Sequence, residues 1–108
     1  MQMNVHAVGL SLTPALSQHA HERFLHALNQ HDGRVAAVSV TLRDINGPRG
    51  GFDKEVDVTV RLVRGAVMVF KEIHTDMYAA ISAAAERVKN SVGRKIGRMK
   101  ERRKSRDI

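Results

Sequence analysis

The chain has 108 residues, enough for one domain around a modest core. It carries 18 Lys and Arg against 11 Asp and Glu, a net charge of +7, which favours polyanionic partners, nucleic acid before anionic membrane. With no cysteine it can build neither a disulfide framework nor a thiolate metal site, and no run reaches the roughly 20 apolar residues of a membrane span.

From the N-terminus, Met3, Val5, Ala7, Leu10 and Leu12 alternate loosely. They predict a first strand, interrupted near Gly9 by a bulge or slip. The same stretch lacks a basic segment followed by an apolar core, so no signal peptide is expected, and the cytoplasmic location expected for the chain suits its lack of cysteine. Thr13-Pro14 then opens a helix, with Thr13 as N-cap and Pro14 at the first helical position, where its missing N–H costs nothing. The helix is expected to run to about His31. Leu16, Ala20, Phe24, Ala27 and Leu28 share one of its faces, and His19, Arg23, His26 and Gln30 share another. Asp32-Gly33 should end it, with Gly33 as the left-handed residue.

Arg34 to Asp44 reads as a strand with Val38, Val40 and Leu42 on one side and Ser39, Thr41 and Arg43 on the other. Residues 44–53, DINGPRGGFD, form a turn-rich loop broken by Pro48 and Gly50-Gly51. Lys54 to Val63 is the clearest strand: Val56, Val58, Val60 and Leu62 alternate with Glu55, Asp57, Thr59 and Arg61. Arg64-Gly65 makes a tight hairpin turn into a fourth strand, Ala66 to Ile73.

The C-terminal stretch reads as one long helix. Met77, Ile81, Ala84, Ala85, Val88, Val92, Ile96 and Met99 recur at three- and four-residue steps. Thr75 or Asp76 stands where an N-cap belongs. Beyond Glu86 the polar positions turn basic, with Arg87, Lys89, Arg94, Lys95, Arg98 and Lys100 and then the cations of residues 102–106. From Asp76 to Lys104 the helix would be roughly 40 Å long. The whole order, β-α-β-β-β-α, predicts an α+β two-layer sandwich: a four-stranded sheet with both helices packed on one face. A single domain over 1–101, followed by a basic, disordered tail at 102–108, is the expected organisation.

Cations on a rigid helix neutralise phosphates and release counterions, a sequence-independent attraction. One Tyr, three Phe and no Trp leave little to stack on bases. Shape and phosphate position should therefore govern binding. The basic helix end reads equally as a solvated face, and Tyr78 reads as packing or capping before stacking. His19, His21, His26 and His31 lack the i, i+4 spacing of a helical zinc site, so no metal is expected. Residues 46–51 are glycine-rich but lack the order of a P-loop, and Arg49 at their centre is either a plain hairpin-tip residue or an RNA contact. Glu55 and Asp57 share the open sheet face with no nucleophile or base beside them, so no enzymatic activity and no cofactor is expected.

Asp76-Met77-Tyr78-Ala79-Ala80-Ile81 opens the second helix of this β-α-β-β-β-α order. With Leu12-Thr13-Pro14-Ala15-Leu16 at the start of the first helix, it resembles the ribosome hibernation-promoting factors, also called ribosome-associated inhibitors or sigma-54 modulation proteins. The resemblance spans nearly the whole chain, and its length matches the short type. Ser17 and Asn90 stand where the family often carries basic residues. The resemblance implies binding to the small ribosomal subunit and its 16S rRNA, in the channel used by mRNA and tRNA, with translation blocked. It implies a monomer away from the ribosome and neither a small-molecule substrate nor a membrane partner. Arg23, Arg49, Lys54, Arg87, Lys89, Arg94, Lys95, Arg98 and Lys100 are the rRNA-binding residues it suggests. A general double-stranded RNA or DNA binding module is the alternative from composition alone.

Overall fold

The computed structural model describes residues 1–45 and 53–106. Its elements are β1 (Gln2–Val8), α1 (Pro14–Leu28), a 3₁₀ segment (Asn29–Arg34), β2 (Val35–Asp44), β3 (Lys54–Leu62), β4 (Val67–His74) and α2 (Met77–Arg106). The sheet order is β1-β2-β3-β4. β1 runs parallel to β2, and the two other neighbouring pairs are antiparallel. This is the expected α+β sandwich, with one sheet face covered by helices and the other open.

Local chemistry accounts for the element ends. Thr13 keeps an extended backbone, and its Oγ1 accepts the Leu16 N–H at 3.2 Å, with Pro14 beginning the first turn. On α2 the cap is Asp76, whose Oδ2 accepts the Ala79 N–H at 3.0 Å. Two expected details differ. α1 is not closed by a left-handed Gly33: it stops at Leu28 and tightens into the 3₁₀ segment, and among the described residues only Gly9 and Gly65 have positive φ. The first strand does not continue through a bulge at Gly9 either. It ends at Val8, and Gly9 turns at φ 78° so close to β2 that a Cβ there would lie 3.0 Å from the Asp44 carbonyl oxygen.

The strict alternation of β2 and β3 fixes which residues enter the core. Val38, Val40, Leu42, Val56, Val58, Val60 and Leu62 are all buried, and Val38, Val40 and Leu42 face Val60, Val58 and Val56 in register. A register shift between Val35 and Ala37 turns Val35 inward as well, which the alternation did not predict. α1 contributes Leu16, Ala20, Phe24, Ala27 and Leu28 to this core. α2 contributes Met77, Ala80, Ile81, Ala84, Ala85, Val88, Val92 and Ile96, with Met99 half-buried at the margin. The two helices lie side by side and run the same way. His19 meets Tyr78 and Ser82 near both N-termini, and His31 reaches the level of Gly93 further along. α2 is helical through residue 106, so its backbone continues across residues 102–106, where the sequence suggested a tail; residues 107 and 108 lie outside the described residues.

A candidate nucleic-acid interface on the second helix

The apolar stripe of α2 holds it on the sheet, and that leaves its cations pointing away. At about 100° per residue, Arg87, Arg94 and Arg98 fall within about 40° of one another. Arg87 shows which side they occupy. Its Nη1 donates to the Lys71 carbonyl oxygen at 3.0 Å and lies 3.7 Å from Glu72 Oε1, and its guanidinium stands 5.7 Å from the Phe70 ring centroid. The row therefore runs along the outer edge of β4. Arg94 and Arg98 are exposed, and Arg94 Nη2 donates to Ser91 Oγ at 3.3 Å. Lys95 is half-buried on the same side, whereas Lys89 and Lys100 are exposed on the flank toward α1.

Arg87 thus has structural work as well as a charge. It bonds an edge-strand carbonyl and pairs with Glu72 while its side chain stays half exposed. Five N–H donors in a planar fork leave some free to face outward. Arg23 is exposed on α1, one turn beyond His19 on the side that faces α2, and this adds a cation to the groove between the helices.

Lys54 is placed elsewhere. It opens β3 at the sheet end where the helices begin, far along α2 from Arg94 and Arg98. Its Nζ donates to Asp44 Oδ2 at 3.1 Å and Asp53 Oδ2 at 3.2 Å. The Asp44 bond in particular holds its ammonium above the usual lysine range. Asp53 is 1% exposed, so taking Lys54 away would leave a buried carboxylate without its counter-charge. Arg49 lies outside the described residues. Arg64, exposed at the turn from β3 to β4, is by its sequence position a turn residue. Because β4 runs antiparallel to α2, that turn lies at the basic end of the helix, and its charge was the available signal.

Tyr78 packs against His19, with ring centroids 4.9 Å apart and planes tilted by 57°, and His19 Nε2 lies 3.4 Å from Ser82 Oγ. Among the described residues, no three His, Asp or Glu side chains gather as metal ligands would, and no helix is long and apolar enough to cross a membrane.

The open sheet face carries a second charge cluster. Arg43 Nε donates to Asp57 Oδ2 at 2.8 Å and lies 3.6 Å from Glu55 Oε2, while Lys71 Nζ is 3.8 Å from Glu55 Oε1. Burial, then the hydrogen bond and negative charge of Asp57, push the Glu55 carboxyl above its ordinary value, against the pull of Lys71 and Arg43. A carboxyl raised in this way binds its proton more tightly in the folded chain than in the unfolded one. Its contribution to stability therefore declines as pH rises upward from the ordinary value of 4.5. Glu55→Gln is expected to flatten that decline and to be no less stable than the parent at about pH 7, because Arg43 keeps Asp57. Melting curves across that range test it. A variant with the parent's full pH dependence would assign the decline to other groups.

A family model described as Sigma 54 modulation protein / S30EA ribosomal protein matches residues 3–104. Among solved structures, the N-terminal domain of Protein Y from Thermus thermophilus superposes with a TM-score of 0.72 at 22% identity, covering 87% of this chain and 98% of that one. A ribosomal subunit interface protein from Coxiella burnetii superposes with a TM-score of 0.74 at 16% identity, covering 90% of this chain and 99% of that one. At those identities the superpositions speak for the fold. No curated protein matches the chain.

Proposed function

Because the chain belongs to the Sigma 54 modulation protein / S30EA ribosomal protein family, we propose that it is a hibernation factor that occupies the mRNA and tRNA channel of the small ribosomal subunit and blocks translation. The observation that carries this reading is the anchored basic row of α2: Arg87, Arg94 and Arg98 share one side of a helix whose opposite side is buried as far as Ile96. Such a row holds its charges in fixed positions, so less freedom is lost when a phosphate meets them. Arg23, Lys89, Lys95 and Lys100 extend the surface, and Arg49 remains a proposed contact at the loop between β2 and β3. Lys54 acts there through its ion pairs, by holding the base of that loop. The chain works as a monomer in the cytoplasm, without cofactor or catalytic step, by filling space that mRNA and tRNA need.

The test is sedimentation with purified small ribosomal subunits, followed by translation in a cell extract. Saturable co-sedimentation that naked duplex RNA does not compete away, together with inhibition of translation, is the expected result. Equal competition by naked duplex would favour a general nucleic-acid binder. Binding should also weaken steeply with salt. For about five phosphate contacts, log K should fall against log salt with a slope of roughly −3.5 to −4.5. A flat profile would leave the basic row without a role.

A further inference from the structure

On its α1 side, α2 loses its neighbour as it approaches its C-terminal end. His31, in the 3₁₀ segment after α1, stands beside that flank, its Nε2 3.7 Å from where a Cβ of Gly93 would sit. Among the residues of α2 whose side chains are described, through Lys100, Ile96 is the last buried one, and Met99 is half-buried. Over this stretch the exposed cations form two rows, Lys95 being half-buried. Arg94 and Arg98 lie on the β4 flank, about 40° apart, and Lys89 and Lys100 on the α1 flank, about 20° apart. The rows are separated by about 150° around a helix about 10 Å across.

Between the rows, opposite the buried Val88 and Val92, the crest of the helix carries Asn90, Gly93 and Gly97. Among the described residues Gly97 has no packing reason to be glycine: a Cβ there would meet nothing within 4 Å. Glycine is among the poorest residues for a helix interior, so this position gives up helix stability without any return inside the molecule. Two exposed rows of like charge also repel one another along each flank until an anion joins them. Glu86, on the same crest one turn before Asn90, marks where a polyanion would cease to be favoured.

A helix with cations on both flanks and a bare crest complements a cleft walled by two phosphate backbones. Resting on the small-subunit reading above, we propose that the α2 segment from Lys89 to Lys100 inserts lengthwise into such a cleft of a structured RNA. Arg94 and Arg98 meet one backbone, Lys89 and Lys100 meet the other, and the crest at Gly97 faces the cleft floor. A backbone lying along only one flank would use one row and would be indifferent to the crest.

The experiment compares four chains for binding to purified small ribosomal subunits at several salt concentrations: the parent, Gly97→Leu, the pair Lys89→Ala with Lys100→Ala, and the pair Arg94→Ala with Arg98→Ala. Gly97→Leu changes no charge and improves helix propensity, so its melting temperature should rise. Its affinity for subunits should nevertheless fall tenfold or more. Each alanine pair should make the salt slope shallower by roughly 1.4 to 1.8, about 0.7 to 0.9 per lost contact. A Gly97→Leu chain that binds like the parent overturns the insertion, as does a lysine pair that leaves the slope unchanged while the arginine pair reduces it. Were the parent itself not to bind subunits saturably, the small-subunit reading would fall and the insertion with it.

Discussion

Alanine at Arg87, Arg94 and Arg98 together is expected to weaken binding to small ribosomal subunits by about a hundredfold or more and to relieve inhibition of translation, with the helical circular dichroism signal retained. Hydrogen bonds to charged groups contribute about 1.5–3 kcal/mol each, so even partial loss of three such contacts reaches that size. The three do not contribute alike. Arg94 and Arg98 are exposed, so their loss should cost binding and little stability. Arg87 also holds the Lys71 carbonyl and stands by Phe70 and Glu72, and its removal should cost about 1 kcal/mol of stability in addition. Deleting residues 102–108 should weaken binding less than the triple substitution, because those residues follow the last apolar anchors, Ile96 and Met99. A cell-extract translation assay with a circular dichroism control decides the comparison. If the deletion abolishes inhibition while the triple variant inhibits normally, the contact surface lies at the chain end.

Phe24→Ala is expected to be the most damaging single truncation in the core, costing about 3–5 kcal/mol, a large part of the stability of a domain this size. Phe24 is fully buried and is the largest side chain that α1 inserts between itself and the sheet. The remaining anchors of that helix are two leucines and two alanines, too short to close over the vacated space. Because α1 also flanks α2, the loss should loosen the platform that aims the basic row. Denaturant unfolding measures it. A change below about 1 kcal/mol would mean that the core collapses around the site and that α1 is held mainly by other contacts.

Much of this molecule is legible in its amino-acid sequence. Period-two alternation identified the buried valines of β2 and β3, and three- and four-residue steps identified the buried stripe of α2, because those periods are properties of the backbone itself. Thr13-Pro14 and Asp76 announced the helix starts because capping is chemistry between near neighbours. The errors were local as well. The left-handed turn expected at Gly33 is replaced by the 3₁₀ segment, and the bulge expected at Gly9 is instead a turn at φ 78° just past the strand end at Val8, where the Asp44 carbonyl leaves no room for a Cβ.

The candidate interface divides along the same line. Composition, the basic run and the DMYAAI helix start point to the family and to the element proposed to meet its partner, since charge and amphipathic spacing are carried by residues close in sequence. Only the tertiary structure decided what each cation is free to do. It tied Arg87 to β4, sixteen residues earlier, and held Lys54 between Asp44 and Asp53. It also laid α1 beside α2 in the same direction, with His19 against Ser82 across sixty-three residues of chain. Such contacts depend on how sheet pairing folds the chain back on itself, and no local period encodes the distance between residues that meet only once the sheet has closed.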